Sequence, residues 1–296
     1  MYLYPYKCHI CTGHSLKKLS YTITYCRREK PMNMKNNKLR NLLETGIPSM
    51  GTRMWTTSVF FVEALASTGN FDYMEFVAEY APFTQYDLQN LCIAAELHNM
   101  GTMIKIDFQN NAYVAQKAIA SGFQAINFTD CQNAEQVEEA VKATMPETPE
   151  FGGRFGYPNN RYIGYQPNIS QMNHAKRQKE IVRCFMIEKD IAVKNIEEIC
   201  SVPGVDMVQF GPSDYCMSKG WEAKDHIEEF KAIEKHVIEV ALKHGVQPRC
   251  EIPNVDASKH YIDLGVRQFS LSDQLVILSD FWSQEGKKLR DITARL

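Results

Sequence analysis

The chain has 296 residues, 44% of them hydrophobic and 23% charged, an ordinary globular composition long enough for one large α/β barrel or two average domains. Its 33 basic and 35 acidic residues leave a net charge of -2. That balance excludes broad electrostatic attraction to nucleic acid or anionic lipid, so the expected partners are small molecules or further copies of the chain.

Residues 1–34 read as an N-terminal extension, because neither a helical nor a strand period is sustained over them, and Met32 or Met34 is the expected true start. Within that extension Cys8-x-x-Cys11, with Cys26 and His9 or His14, offers half of a zinc site that no second C-x-x-C completes. No apolar core follows its basic residues, as a secretory signal requires. Nor does any window reach the roughly 18 consecutive apolar residues of a membrane span. Nine cysteines are scattered without a framework, and an odd count fits reduced thiols in a cytoplasm better than disulfides.

From Pro48 onward short apolar runs alternate with longer amphipathic stretches, and glycines such as Gly69, Gly101, Gly122, Gly204, Gly245 and Gly265 mark many of the joints. The strands are predicted at 49–54, 71–77, 102–107, 124–128, 182–187, 206–210, 247–252 and 267–271. The helices between them are predicted at 57–68, 84–98, 111–121, 133–144, 170–180, 190–201, 226–244 and 255–264, with another after 272. Helix 170–180 is an addition inside the fourth connection, so every strand still has its helix. Eight strand–helix units within residues 35–296 predict a single TIM (β/α)8 barrel. A doubly wound open sheet fits the alternation too, but no G-x-G-x-x-G follows the first strand.

A barrel of this type carries its chemistry where the strands end, and here those ends are polar. Trp55 follows the first strand, Glu79 and Tyr80 the second, and Lys105 and Asp107 close the third. Asp130, Glu188, Asp214, Glu251 with Asn254, and Ser272 with Asp273 follow in turn. The segment 145–180, rich in Gly, Pro, Asn and Tyr, is expected to be an ordered loop covering the site, or else a surface excursion packed on a neighbouring subunit. Glu188 and Asp214, from adjacent strands, make a hard oxygen-rich pair suited to Mg²⁺ or Mn²⁺ rather than zinc. The alternative is that they pair with Lys or Arg, or cap the helices that follow. The "GPSD" stretch at 211–214 offers backbone amides at a tight turn, a cradle for a small carboxylate.

From about Leu42 to the end the chain resembles the HpcH/HpaI aldolase/citrate lyase family of metal-dependent pyruvate aldolases. The stretches that carry the likeness are "NFDYMEFVAEYAP", "GTMIKIDF", "GFQAINFTDCQNAEQVEEAVKAT", "FMIEKDIAVKNIEEICSVPGVDMVQFGPSDYCMSKG" and "HYIDLGVRQFSL". The resemblance implies a TIM barrel, a divalent ion, an enolate of pyruvate or a related 2-oxo acid, and carbon–carbon bond cleavage or formation, commonly in a hexamer. It places Glu188 and Asp214 on the two metal ligands, and Gly211, Pro212 and Ser213 on the turn that holds the substrate carboxylate. Trp55 is expected to line the substrate site. Two positions depart from the family's pattern: "EYAP" puts Tyr80 where a catalytic histidine is usual, and Lys105 stands where an arginine usually binds the keto oxygen. Lysine keeps the charge without the bidentate fork, and a phenol with an ordinary pKa near 10 is a poorer base than imidazole at neutral pH. Of the histidines, His174 in the long segment is the one expected to be able to reach the mouth.

Overall fold

The computed structural model describes residues 36–296. The Cys8-x-x-Cys11 pair with its neighbours, and the expected start at Met32 or Met34, lie outside the described residues. The elements in chain order are α1 (Lys38–Thr45), β1 (Ser49–Met54), α2 (Val59–Ser67), β2 (Tyr73–Val77), α3 (Gln85–Leu97), β3 (Gly101–Ile106), α4 (Asn111–Ser121), β4 (Ala125–Phe128), α5 (Ala134–Thr144) and α6 (Gln171–Lys179). Then come β5 (Val182–Ile187), α7 (Asp190–Lys194), α8 (Ile196–Cys200), β6 (Met207–Phe210), α9 (Pro212–Lys219), α10 (Ile227–Lys243), β7 (Gln247–Ile252), α11 (Ser258–Asp263), β8 (Gln268–Asp273) and α12 (Gln274–Thr293). The strands pair in parallel in sequence order, and β8 closes on β1. This is the TIM (β/α)8 barrel that the alternation predicts.

Local sequence sets where the elements begin and end. Thr84 and Asp87 form a reciprocal capping box that starts α3, and Gly122, at φ 116°, ends α4 in a conformation that side chains with a Cβ adopt at a cost. Three of the differences from expectation have a local cause. Strand β8 runs on to Asp273 because its register against β1 slips between Gly51 and Arg53, which sets Arg53 opposite Asp273. The helix expected at 190–201 breaks at Asn195 into α7 and α8. Helix α9 opens directly at the turn expected at 211–214, with Pro212 in its first turn and Gly220 ending it at φ 69°.

The outward faces of β2 to β5, among them Met74, Phe76, Ile104, Ile126, Phe128 and Phe185, are buried against the helices. Leu39 of α1 plugs the amino-terminal end of the barrel, packed with Tyr73, Met103, Ala125, Val182, Cys184 and Met207. Above that floor the interior turns polar, where a TIM barrel usually holds branched apolar side chains. Glu75 and Arg249, both without solvent exposure, form an ion pair at 2.6 Å. Asn127 Nδ2 donates to Glu75 at 2.9 Å and Arg249 Nε donates to the Tyr73 hydroxyl at 2.7 Å. The Gln209 side-chain carbonyl also accepts from Arg249. Such satisfaction is what a buried pair requires, since desolvating two charges otherwise outweighs their attraction.

The long segment after α5 does not cover the site. Arg154 N–H donates to Lys142 O near the end of α5 at 2.7 Å, and Arg161 N–H donates to Ala120 O near the end of α4 at 3.2 Å. Asn37, the N-cap of α1, donates from Nδ2 to the Tyr162 hydroxyl at 3.2 Å. All of these partners lie at the amino-terminal end of the barrel. The topology requires this, because a connection from a helix to the next strand returns at the strands' amino ends, whereas the mouth is built by the strand-to-helix loops. His174 is carried with the segment to that far end. It is buried, its Nε2 lies 2.8 Å from Pro158 O, and its ring centroid is 4.5 Å from that of Tyr157.

Candidate active site

Glu188, the residue after β5, is 1% exposed. Its Oε1 accepts the Asp130 amide at 2.9 Å, while its Oε2 is buried and has no hydrogen-bond partner. A Cβ added at Gly211 would stand 3.0 Å from that Oε2 and 2.9 Å from the Glu188 Cβ, so the glycine is what leaves room for the carboxylate. Burial pushes the Glu188 carboxyl up to about 7. Lys105 and the Asp130 amide pull it down, and the charges of Asp214 and Asp130 add to the rise.

Asp214 is half-buried in the first turn of α9. The first helical hydrogen bond runs from Tyr215 N–H to Gly211 O at 2.9 Å, and Gly211 N–H donates to Ile187 O at 3.1 Å, tying the turn to β5. The amides of Ser213 and Asp214 therefore precede the first intrahelical bond, at the positive end of the helix. Pro212 is half-buried and Ser213 exposed.

Lys105, near the end of β3, is 5% exposed. Its Nζ lies 2.8 Å from Glu79 Oε2, 3.5 Å from the Tyr80 hydroxyl and 4.9 Å from the centroid of the Tyr80 ring. Burial alone would lower the ammonium pKa, but the carboxylates of Glu188 and Glu79 outweigh it and hold the group above its ordinary value. Tyr80 is half exposed and its ring stacks on Trp55, with centroids 5.7 Å apart and planes at 16°. Burial of the hydroxyl, with the charges of Glu79 and Asp214, pushes it up to about 12 against the opposing pull of Lys105. The phenol is thus protonated at neutral pH and serves as a donor.

The electrostatic couplings join Glu188 to Lys105 and Asp214, and Tyr80 to Asp214, Glu79 and Lys105. The fold therefore brings together the residues that the sequence singled out at the second, third, fifth and sixth strand ends, with Trp55 from the first. Glu79 is visible in the sequence only as a polar strand-end residue, without a role. Its place follows from register: Val77 pairs with Lys105 across β2 and β3, and Glu79 lies two residues further along the same face. Near the ends of β7 and β8, Glu251 and Asp273 are among the polar strand-end residues that the sequence shows, but their partners Arg53 and Gln209 are not. Arg53 reaches Glu251 at 2.7 Å and Asp273 at 3.0 Å, and Gln209 Nε2 donates to Glu251 at 2.7 Å.

Among the described residues no group of three or more His, Cys, Asp or Glu side chains stands close enough to hold a metal ion by itself. A pair of carboxylates, one with a buried oxygen lacking any partner, suits a hard divalent cation that keeps water or substrate oxygens in its remaining positions.

Carboxylates, an ammonium and a hydroxyl thus converge where the strands of a parallel barrel end, the place where enzymes of the TIM-barrel class carry their active sites. A model of the HpcH/HpaI aldolase/citrate lyase family matches residues 75–266. The chain belongs to that family, and is a carbon–carbon lyase of the aldolase type. It is 24% identical over 238 residues to a 4-hydroxy-2-oxo-heptane-1,7-dioate aldolase of Escherichia coli, across 77% of this chain and 86% of that one. A hydroxypyruvate/pyruvate aldolase of Paraburkholderia phytofirmans is 24% identical over 240 residues, across 80% and 91%. The crystal structure of an HpcH/HpaI family protein from Burkholderia cenocepacia superposes with a TM-score of 0.77 at 20% identity, covering 86% of this chain and 100% of that one.

Proposed function

We propose that the chain makes or breaks a carbon–carbon bond next to a 2-oxo acid, through the enolate of pyruvate or a close relative, with a divalent ion held by Glu188 and Asp214. Mg²⁺ or Mn²⁺ suits this donor set. The observation that carries the reading is the Glu188 side chain: a buried carboxylate with one oxygen unpartnered, beside a second carboxylate, is costly unless a cation completes it. When bound, such an ion withdraws electron density from the keto oxygen and stabilises the enolate.

The chain's own groups supply the rest. The substrate carboxylate rests on the turn of Gly211, Pro212 and Ser213, against the amides at the start of α9. Lys105 faces the keto oxygen and holds it by charge. Tyr80 donates a hydrogen bond from its protonated hydroxyl, and Trp55 fixes the Tyr80 ring by stacking and walls the substrate. The named relatives, one acting on a 4-hydroxy-2-oxo dioate and one on hydroxypyruvate and pyruvate, support a small 2-oxo acid as substrate. A homo-oligomer is supported by α12. Helix α12 buries none of its 20 residues in the single chain, and Leu275, Val276, Ile277, Phe281 and Trp282 stand exposed on it.

Proton NMR of pyruvate in D₂O tests the proposal. With Mg²⁺ or Mn²⁺ present, the methyl signal is expected to fade as enolisation exchanges its protons, and chelation is expected to stop the loss. A metal-loaded protein that leaves pyruvate and other 2-oxo acids unexchanged would sink it.

A further inference from the structure

We propose that Glu79 is the general base of this site, taking the hydroxyl proton of the aldol substrate onto its carboxylate. This rests on the enolate chemistry proposed above.

The other groups at the mouth are committed elsewhere. Glu188 and Asp214 face the ion. Tyr80 keeps its proton, and the Lys105 ammonium is held charged by Glu188 and Glu79. Asp130 is paired with Lys189 at 3.0 Å, while Glu251 and Asp273 are both engaged by Arg53. The described histidines all sit elsewhere. His98 caps the far end of α3, His174 lies beneath the barrel, and His244 pairs with Glu197. On the outer helices, His226 is stacked on Trp221 and paired with Glu229, and His236 and His260 are exposed.

Glu79 is paired as well, but its partner is Lys105, the group that faces the keto oxygen, so the pairing sets the carboxylate beside the substrate. Its amide donates to Lys105 O at 3.1 Å, which continues the β2–β3 ladder past the strand end and fixes the carboxylate on the mouth-facing side. Its Oε2 stands 2.8 Å from Lys105 Nζ, the group that faces the keto oxygen. A carboxylate so placed lies next to the carbon chain of a substrate whose keto oxygen touches Lys105.

The step balances. Glu79 takes the proton from the hydroxyl oxygen, and the O–H electron pair becomes the second bond of the aldehyde C=O. The adjacent C–C bond breaks, and its electrons form the enolate, whose oxygen lies against Lys105. The same proton then passes from Glu79 to the enolate carbon, giving the 2-oxo acid and restoring the carboxylate.

The test compares two reactions of the Mg²⁺-loaded protein. Exchange of pyruvate methyl protons in D₂O needs a base, whereas decarboxylation of oxaloacetate generates the enolate without one. Glu79→Gln is expected to slow exchange about a hundredfold or more and decarboxylation far less, with Mn²⁺ affinity retained. Formate added to Glu79→Ala is expected to restore part of the exchange. Equal loss of both reactions in Glu79→Gln, with no formate rescue, would reduce Glu79 to a positioning partner of Lys105 and overturn the inference. Exchange that survives Glu79→Gln would overturn it too, while leaving the enolate reading intact. A parent protein that performs neither reaction would remove both.

Discussion

Replacing Glu188 by glutamine is expected to stabilise the metal-free protein at neutral and alkaline pH. Burial raises this carboxyl from an ordinary 4.5 to about 7. At about 1.4 kcal/mol per tenfold change, holding the ionised form in the fold costs about 3 kcal/mol. The sign follows from proton binding. Between 4.5 and 7 the folded chain holds a proton on Glu188 that the unfolded chain has released. The group's contribution is therefore whole below pH 4.5, is lost as pH rises, and is gone above about 7. Glutamine cannot ionise and can keep the Asp130 amide bond. For a chain of this size 1 kcal/mol moves Tm by roughly 2–4 °C. Between pH 5 and pH 8 in EDTA, the parent's Tm is expected to fall roughly 6–12 °C further than the variant's. Thermal melts followed by circular dichroism at the two pH values measure this, and saturating Mn²⁺ is expected to abolish the extra fall in the parent. Parallel pH profiles for parent and variant would refute the claim that Glu188 is a buried carboxylate awaiting a cation.

Asp214→Asn is expected to leave the fold intact and to weaken Mn²⁺ binding at least tenfold, read by calorimetry. Breaking the pair inside the barrel, by Glu75→Gln or Arg249→Met, is expected to cost about 3–5 kcal/mol in urea unfolding, and Glu75→Leu with Arg249→Met together is expected to cost less than the sum. Tyr80→Phe is expected to lower retro-aldol cleavage of 4-hydroxy-2-oxo acids at pH 7, because the protonated hydroxyl that donates to the substrate is lost while Glu79 stays in place; a coupled assay of released pyruvate measures it. His174→Asn is expected to lower Tm and leave turnover at the mouth unchanged, since the ring lies at the opposite end of the barrel.

The alternation of apolar runs and amphipathic stretches carried the barrel, because strands buried on both faces, as β2 to β6 are throughout, leave little else for such runs to be. The same burial hid its interior. Glu75 sits in "YMEFV" and Arg249 in "QPRCEI", and nothing in either stretch tells that the two side chains meet, since their pairing depends on closing the barrel between β2 and β7. Lys105 and Tyr80 were legible as neighbours on adjacent strand ends, whereas the place of Glu79 between them needed the β2–β3 register. Segment 145–180 lies at the barrel's amino end and not over the site, because it joins a helix to the next strand. Its side chains hold it there, as where Arg161 pairs with Glu96 of α3 and the Tyr162 hydroxyl accepts from Asn37.

The measurement that bears most directly on the central claim is a Mn²⁺ titration followed by the electron paramagnetic resonance signal of free ion, with and without pyruvate. The account predicts one ion per chain in the parent, tighter binding when pyruvate is present, and no binding at that site in Glu188→Gln. Binding of equal strength in the parent, Glu188→Gln and Asp214→Asn, indifferent to pyruvate, would contradict it.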